Sequence, residues 1–184
     1  MKELLVYFSE TGFTKKYVES IERRIPGIEV VFIKKLKKKQ IKESDMIIFI
    51  SPLRGNKIRY LDKFLKYYDL MEKAKKDIFI IATGIEPISD SKKEGVILAN
   101  ALNYYHVRLY LLPSGIDISK MSKFKQKMLR MSIKVASKKE PMLNNTLDMF
   151  SRCIDFTNIN LLDPILEKYH SVKIRRNTIN EIKN

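Results

Sequence analysis

The residues best placed to do chemistry are bunched near the start of the chain. There Ser9-Glu10-Thr11-Gly12-Phe13-Thr14 interrupts the apolar run Leu4-Leu5-Val6-Tyr7-Phe8. An apolar run that stops at turn formers reads as a strand, here Glu3 to Phe8. Val18, Ile21 and Ile25 then recur at helical spacing until Pro26-Gly27 ends the helix. Hydroxyls on such a strand-to-helix turn, with the amides that a helix N-terminus leaves unbonded, can surround a phosphate dianion. Gly12 lets the backbone come close to it. A plain helix cap accounts for one of these hydroxyls but less well for three. The stretch lacks both the Gly-Lys-Ser/Thr ending of a nucleoside-triphosphate loop and the G-x-G-x-x-G of a dinucleotide loop, so a phosphate monoester is expected.

Two later turns are weaker signals taken singly. Ser51-Pro52-Leu53-Arg54-Gly55-Asn56-Lys57 follows the continuous apolar run Met46 to Ser51, which reads as a strand covered on both faces. Thr83-Gly84-Ile85-Glu86-Pro87-Ile88-Ser89 follows a strand at Ile78 to Ala82. Between these, Ile28 to Ile33 and Val107 to Leu112 read as strands. Ile58, Leu61, Leu65 and Tyr68 mark one helix face, and Val96 to Tyr105 reads as another helix. The lysine run from Lys34 to Lys39 reads as a solvated connection; without interleaved aromatics it is a poor nucleic-acid site. Strands alternating with helices imply an open parallel sheet wrapped by helices. In such a sheet ligands sit beyond the carboxyl ends of the strands, where all three turns fall.

The composition allows this and narrows the partners. A chain of 184 residues with 45% hydrophobic content is ordinary for one folded domain. Its longest purely apolar stretch, Met46 to Ile50, is too short to span a bilayer. One cysteine, Cys153, excludes an internal disulfide framework and a cysteine-built metal cluster, and the cytoplasm is the simplest compartment. Thirty-six Lys and Arg against 21 Asp and Glu give a net charge of +15. Such a field attracts phosphates, carboxylates, anionic lipid or acidic proteins. No Ser-His-Asp or paired-carboxylate arrangement is visible.

Taken together, the three turns resemble those of the flavodoxin family. LLVYFSETGFT is similar to its phosphate-loop signature, and IIFISPLRGNKIRYLDKFL to its second, ring-flanking loop and following helix. The resemblance covers roughly residues 3 to 112 and resumes with the last helix. It implies a single α/β domain, a five-stranded parallel sheet in order 2-1-3-4-5, and non-covalent binding of flavin mononucleotide (FMN). By position, Ser9, Glu10, Thr11, Gly12, Phe13 and Thr14 would hold the phosphate. Ser51, Pro52, Leu53, Arg54, Gly55 and Asn56, with Thr83, Gly84, Ile85 and Glu86, would flank the isoalloxazine ring. Small electron-carrying flavodoxins are acidic and often stack an aromatic on the ring; this chain is basic and has Leu53 and Arg54 there. Arg54 near the ring edge would stabilise a reduced, anionic flavin and make the potential less negative.

The layout is also similar to the menaquinone-dependent protoporphyrinogen oxidase type, short and basic with a helical insertion before the last helix. Here the insertion spans 116–150. Residues 119 to 139 form a basic amphipathic helix, with Met121, Phe124, Met128, Met131 and Val135 on one stripe. That helix can pack on the protein body, lie on anionic membrane where quinone is available, or line a groove for a flat apolar ligand. A tetrapyrrole, haem or porphyrin, fits the groove, with lysines and arginines pairing its carboxylate arms. Met121, Phe124 and Met128 are the candidate contacts. His170, in the basic tail 170–184 after a last helix begun near Asn158, is the candidate axial ligand; His106 reads as structural. The sequence therefore points to an FMN-dependent oxidoreductase acting on a tetrapyrrole, with quinone as acceptor or with haem reduced and broken down. The other reading is an FMN electron carrier docking an acidic redox partner. Contact with the inner face of the membrane fits either, nucleic acid neither.

Overall fold

The computed structural model describes residues 1–124, 126–128, 131 and 153–182. Its centre is β3 (Met46–Arg54), in which every residue from 46 to 51 is buried. β3 lies between β1 (Glu3–Tyr7) and β5 (Asp77–Gly84); β2 (Glu29–Phe32) and β6 (Arg108–Pro113) lie outside them, all parallel. Counting these five in chain order gives 2-1-3-4-5, the expected arrangement. A two-residue strand, β4 (Lys57–Ile58), pairs antiparallel with the end of β3.

Strand side chains alternate between two faces, and the apolar residues fill both. Leu4, Val6, Ile47, Phe49, Ile78 and Ile80 face one core with α2 (Lys38–Glu43), α3 (Leu61–Leu65), α4 (Tyr68–Lys73) and α5 (Asp90–Ala99). Leu5, Met46, Ile48, Ile50, Phe79 and Ile81 face the other with α1 (Phe13–Arg24) and α6 (Asp163–Ile182). Full burial of each such side chain contributes roughly 1.5–3 kcal/mol. A sheet sandwiched this way has only its rims left for a ligand.

Several elements differ from the sequence reading. The lysine run is not a bare connection: Ile33–Lys35 forms a 3₁₀ turn and α2 begins at Lys38, with the Gln40 side chain accepting from the Lys37 amide at 2.8 Å. Buried Ile33 and Ile41 anchor the segment while its lysines stay in solvent. The single helix expected across Ile58 to Tyr68 is a strand and two short helices, broken by Tyr60 in the left-handed region at φ 58°. The helix expected from Val96 starts at Asp90, where the Ser89 hydroxyl accepts the Lys92 amide, and ends at Ala99; a 3₁₀ turn spans Leu102–Tyr104.

The segment read as a tail from 170 continues α6 as far as Ile182. Its periodicity is weak because ion pairs as well as apolar contacts fix it. The Tyr169 hydroxyl donates to Glu3 at 2.9 Å, Lys173 pairs with the same carboxylate at 2.9 Å, and Arg176 and Arg108 share Asp77 at 3.1 and 3.0 Å. Burial, then the Glu3 carboxylate, holds the Tyr169 hydroxyl far above its ordinary pKa, so it acts as a donor.

The insertion is flanked by a small antiparallel pair, β7 (Gly115–Ile116) with β8 (Ile154–Asp155). After a 3₁₀ turn at Ile118–Lys120, residues 123, 124, 126–128 and 131 are helical. The rest of the helix expected over 119–139, Val135 included, lies outside the described residues. Among the described residues no helix is long and apolar enough to cross a membrane, and no group of three His, Cys, Asp or Glu could hold a metal.

Candidate functional site

Three turns leave the carboxyl rim of the sheet side by side. The first follows β1, whose continuation Phe8 still bonds Ile50 through its amide at 3.0 Å. The chain then turns at Gly12, φ 97°, and enters α1 without a side-chain cap. An uncapped helix start leaves its first amides to an outside acceptor. Arg23 and Arg24 stand at the other end of α1, where they complement its dipole. The Ser9 Oγ is buried and has no hydrogen-bond partner. Leaving a hydroxyl unpaired in this way costs free energy, which an acceptor placed beside it would recover. Thr14 is different: its hydroxyl bonds Thr83 at 2.9 Å, fastening the first turn to the third.

The second turn is a hairpin. β3 runs on through Leu53 and Arg54, reverses at Gly55 (φ 59°) and Asn56, and returns as β4 in the register Leu53–Ile58, Arg54–Lys57. Gly-Asn between two strands is a two-residue hairpin signal, legible at positions 55 and 56. Ser51 is fully buried and donates to the Arg59 carbonyl at 2.6 Å, so its hydroxyl serves the hairpin. The third turn follows Gly84. A Cβ built on Gly84 would stand 3.2 Å from the Leu53 Cδ1, which shows how closely the second and third turns approach.

These turns enclose one cavity of about 550 Å³, well within the span of small-molecule sites. Of the expected residues, Glu10, Thr11, Phe13, Thr14, Pro52, Leu53, Arg54, Gly55, Thr83, Gly84, Ile85 and Glu86 line it. Ser9, Gly12, Ser51 and Asn56 belong to the same turns but not to its wall. From the insertion, Met121 and Met128 also line it, whereas Phe124 is 72% exposed and does not. His170 is not brought there: it sits beside Tyr169, whose hydroxyl reaches Glu3 at the amino end of β1, the opposite rim.

The sequence reading missed part of the wall. Leu111 and Leu112 lie near the end of β6, and Ser114, Gly115 and Ile116 follow it. The rule that ligands meet the carboxyl ends of strands, applied to the fifth strand, would have found them. Gly115 is obligatory there: a Cβ would lie 2.4 Å from the Ile154 carbonyl and 2.5 Å from the Phe13 ring. Lys16 pins β8 to α1 through Asp155 at 2.5 Å, and its ammonium stands 5.0 Å from the Phe13 centroid. Burial works to raise the Asp155 pKa, but hydrogen bonds from Lys16 and Thr157 outweigh it and hold the carboxyl below its ordinary value. Lys92, from α5, was also missed.

A parallel sheet in the order found, with an uncapped glycine turn and a cavity at its carboxyl rim, defines an α/β protein of the open, doubly wound class. The chain belongs to the flavodoxin domain family, whose model matches residues 4–142. No curated protein matches it. Among solved structures it is similar to a flavodoxin from the Archaea (20% identity over 75% of this chain and 98% of that one, TM-score 0.42). It is also similar to a WrbA-like flavodoxin of Agrobacterium tumefaciens (16%, 71% and 91%, 0.44) and to FMN-bound flavodoxin of Fusobacterium nucleatum (14%, 60% and 70%, 0.41).

Proposed function

We propose that the chain binds FMN and transfers electrons to or from an acidic redox partner. The observation that carries this reading is the unpartnered, buried Ser9 hydroxyl at an uncapped helix turn, which suits a phosphate. Ser9, Thr11 and the amides after Gly12 would hold the phosphate. Pro52, Leu53, Gly84 and Ile85 would wall the ring. The bound flavin supplies the redox chemistry; the chain supplies position, exclusion of water and charge. Arg54 at the rim favours a more electron-rich ring and so a less negative potential. The charge of +15 suits an acidic partner.

Anaerobic absorbance titration with FMN tests the cofactor: perturbed flavin bands support it, and unperturbed bands sink the reading. Electron transfer measured with an acidic carrier protein should then fall steeply as ionic strength rises. A second reading, favoured by Met121 and Met128 in the same wall, gives the protein a small flat substrate beside the ring. A tetrapyrrole with carboxylate arms fits it, with quinone as the oxidant for a porphyrinogen. A Soret shift on adding haem to the FMN-loaded protein, with turnover insensitive to salt, would move the conclusion there.

A further inference from the structure

The two turns that would flank the ring are joined by one ammonium group. Lys92 stands in the first turn of α5, and its Nζ donates to Glu86 Oε2 at 2.6 Å, in the third turn. The same Nζ donates to Asn56 Oδ1 at 2.8 Å and to the Gly55 carbonyl at 3.3 Å, both in the hairpin. A lysine ammonium carries three N–H donors, and here each has an acceptor. The lysine side chain is 12% exposed, against 54% for Glu86, and it lines the cavity. Its hydrogen bonds to Glu86 and the two carbonyl oxygens are charge-assisted and partly shielded from water, the condition in which such bonds are strongest.

The hairpin also lies along α5. Asn100, at the end of that helix, donates to the Asn56 carbonyl at 2.7 Å and accepts the Ile58 amide at 3.0 Å. Lys57 reaches the Ala99 carbonyl. Midway, the Asn56 Nδ2 stands 2.7 Å from the position of a Cβ on Gly95, so any larger residue there would have to displace the Asn56 side chain. Asn100 and Lys57 fix the hairpin to the helix, but they do not reach the third turn. Lys92 does.

We propose that Lys92 is a positioning residue that sets the width of the ring slot and holds a positive charge at its edge. This rests on the flavin reading. The clip fixes the second turn against the third before the ring arrives, so that less ordering remains to be done on binding. Its charge makes the bound ring easier to reduce. Glu86, more than half exposed, offsets that charge only in part.

Lys92→Met keeps the stem and removes the charge and the donors; Lys92→Arg keeps the charge. Three quantities distinguish them: the FMN dissociation constant, the midpoint potential of bound FMN, and amide exchange at residues 55, 56, 85, 86 and 88 in the flavin-free protein. Lys92→Met should raise the dissociation constant about tenfold, lower the potential, and speed exchange in both turns together. Lys92→Arg should recover most of the potential. Unchanged exchange, or faster exchange in the third turn alone, overturns the proposal, as does a potential that does not move. If wild-type protein takes up no FMN, the flavin reading fails and exchange alone judges the clip. Should Lys92→Met not fold, Glu86→Gln weakens one prong and must loosen both turns to the same sense.

Discussion

The two rims of the sheet handle their polar groups in opposite ways. At the amino rim, Glu3 is bonded by Tyr169 and Lys173, and Asp77 by Arg108 and Arg176, so each of these two carboxylates has two partners. At the carboxyl rim, Thr14 and Thr83 satisfy each other, but Ser9 has no partner and α1 has no cap. Both rims are built from the same five strands. A polar group paired within the chain holds the fold, whereas one buried and left unpaired marks where something else belongs. Ser9 shares this property with the Arg59 Nε and the Thr157 hydroxyl, and of the three it alone stands in the turn that opens α1.

The largest effect expected from breaking this contrast is at the amino rim. Glu3→Ala strands the Tyr169 hydroxyl and the Lys173 ammonium and should cost about 3 kcal/mol of unfolding free energy in urea. FMN affinity of the folded fraction should not change. At the other rim the pattern inverts. Ser9→Ala should weaken FMN binding by about 1.5–3 kcal/mol in a fluorescence titration. The flavin-free protein should be no less stable, because a buried unpaired hydroxyl has been removed; a fall in its melting temperature would contradict the assignment of Ser9.

Thr14→Ala sharpens the comparison, since Thr14 is paired yet sits at the ligand rim. It strands the fully buried Thr83 hydroxyl and should lower flavin-free stability by about 1–2 kcal/mol, seen in thermal melts, and weaken FMN binding as well. The smallest effect concerns Lys16–Asp155, a partly exposed pair worth at most about 1 kcal/mol. Because the folded pKa of Asp155 is depressed, its contribution is complete above the unfolded value and fades as pH falls through the folded one. Urea unfolding near pH 6 and near pH 3 should therefore show a gap between wild type and Asp155→Asn that is narrower at the acid end.

Short apolar runs and helical spacing were enough to place the five parallel strands, because each run is bounded by turn or charged residues. The turn after β1 was legible because Ser9, Thr11 and Thr14 contradict the apolar pattern around them. Less legible were features that depend on distant partners. Ser51 looked like a ligand group, and only its bond to the Arg59 carbonyl assigns it to the hairpin. Lys92 was hidden among 36 basic residues, since no local pattern marks which lysine will find three acceptors in two turns. The last turns of α6 were unreadable because ion pairs to Glu3 and Asp77, far away in sequence, replace part of the apolar stripe.

That last helix has a consequence for synthesis. One face of the sheet is covered by Leu162, Ile165, Leu166, Tyr169 and Val172, all from the closing part of the sequence. Until those residues are translated, Leu5, Ile48, Phe79 and Ile81 have only α1 to cover them. A nascent chain emerging at about 5–20 residues per second therefore carries a half-open apolar surface for some seconds, the interval in which chaperone capture or aggregation competes with folding. Codon choice upstream of Leu162 should accordingly influence soluble yield more than the stability of the finished protein would suggest.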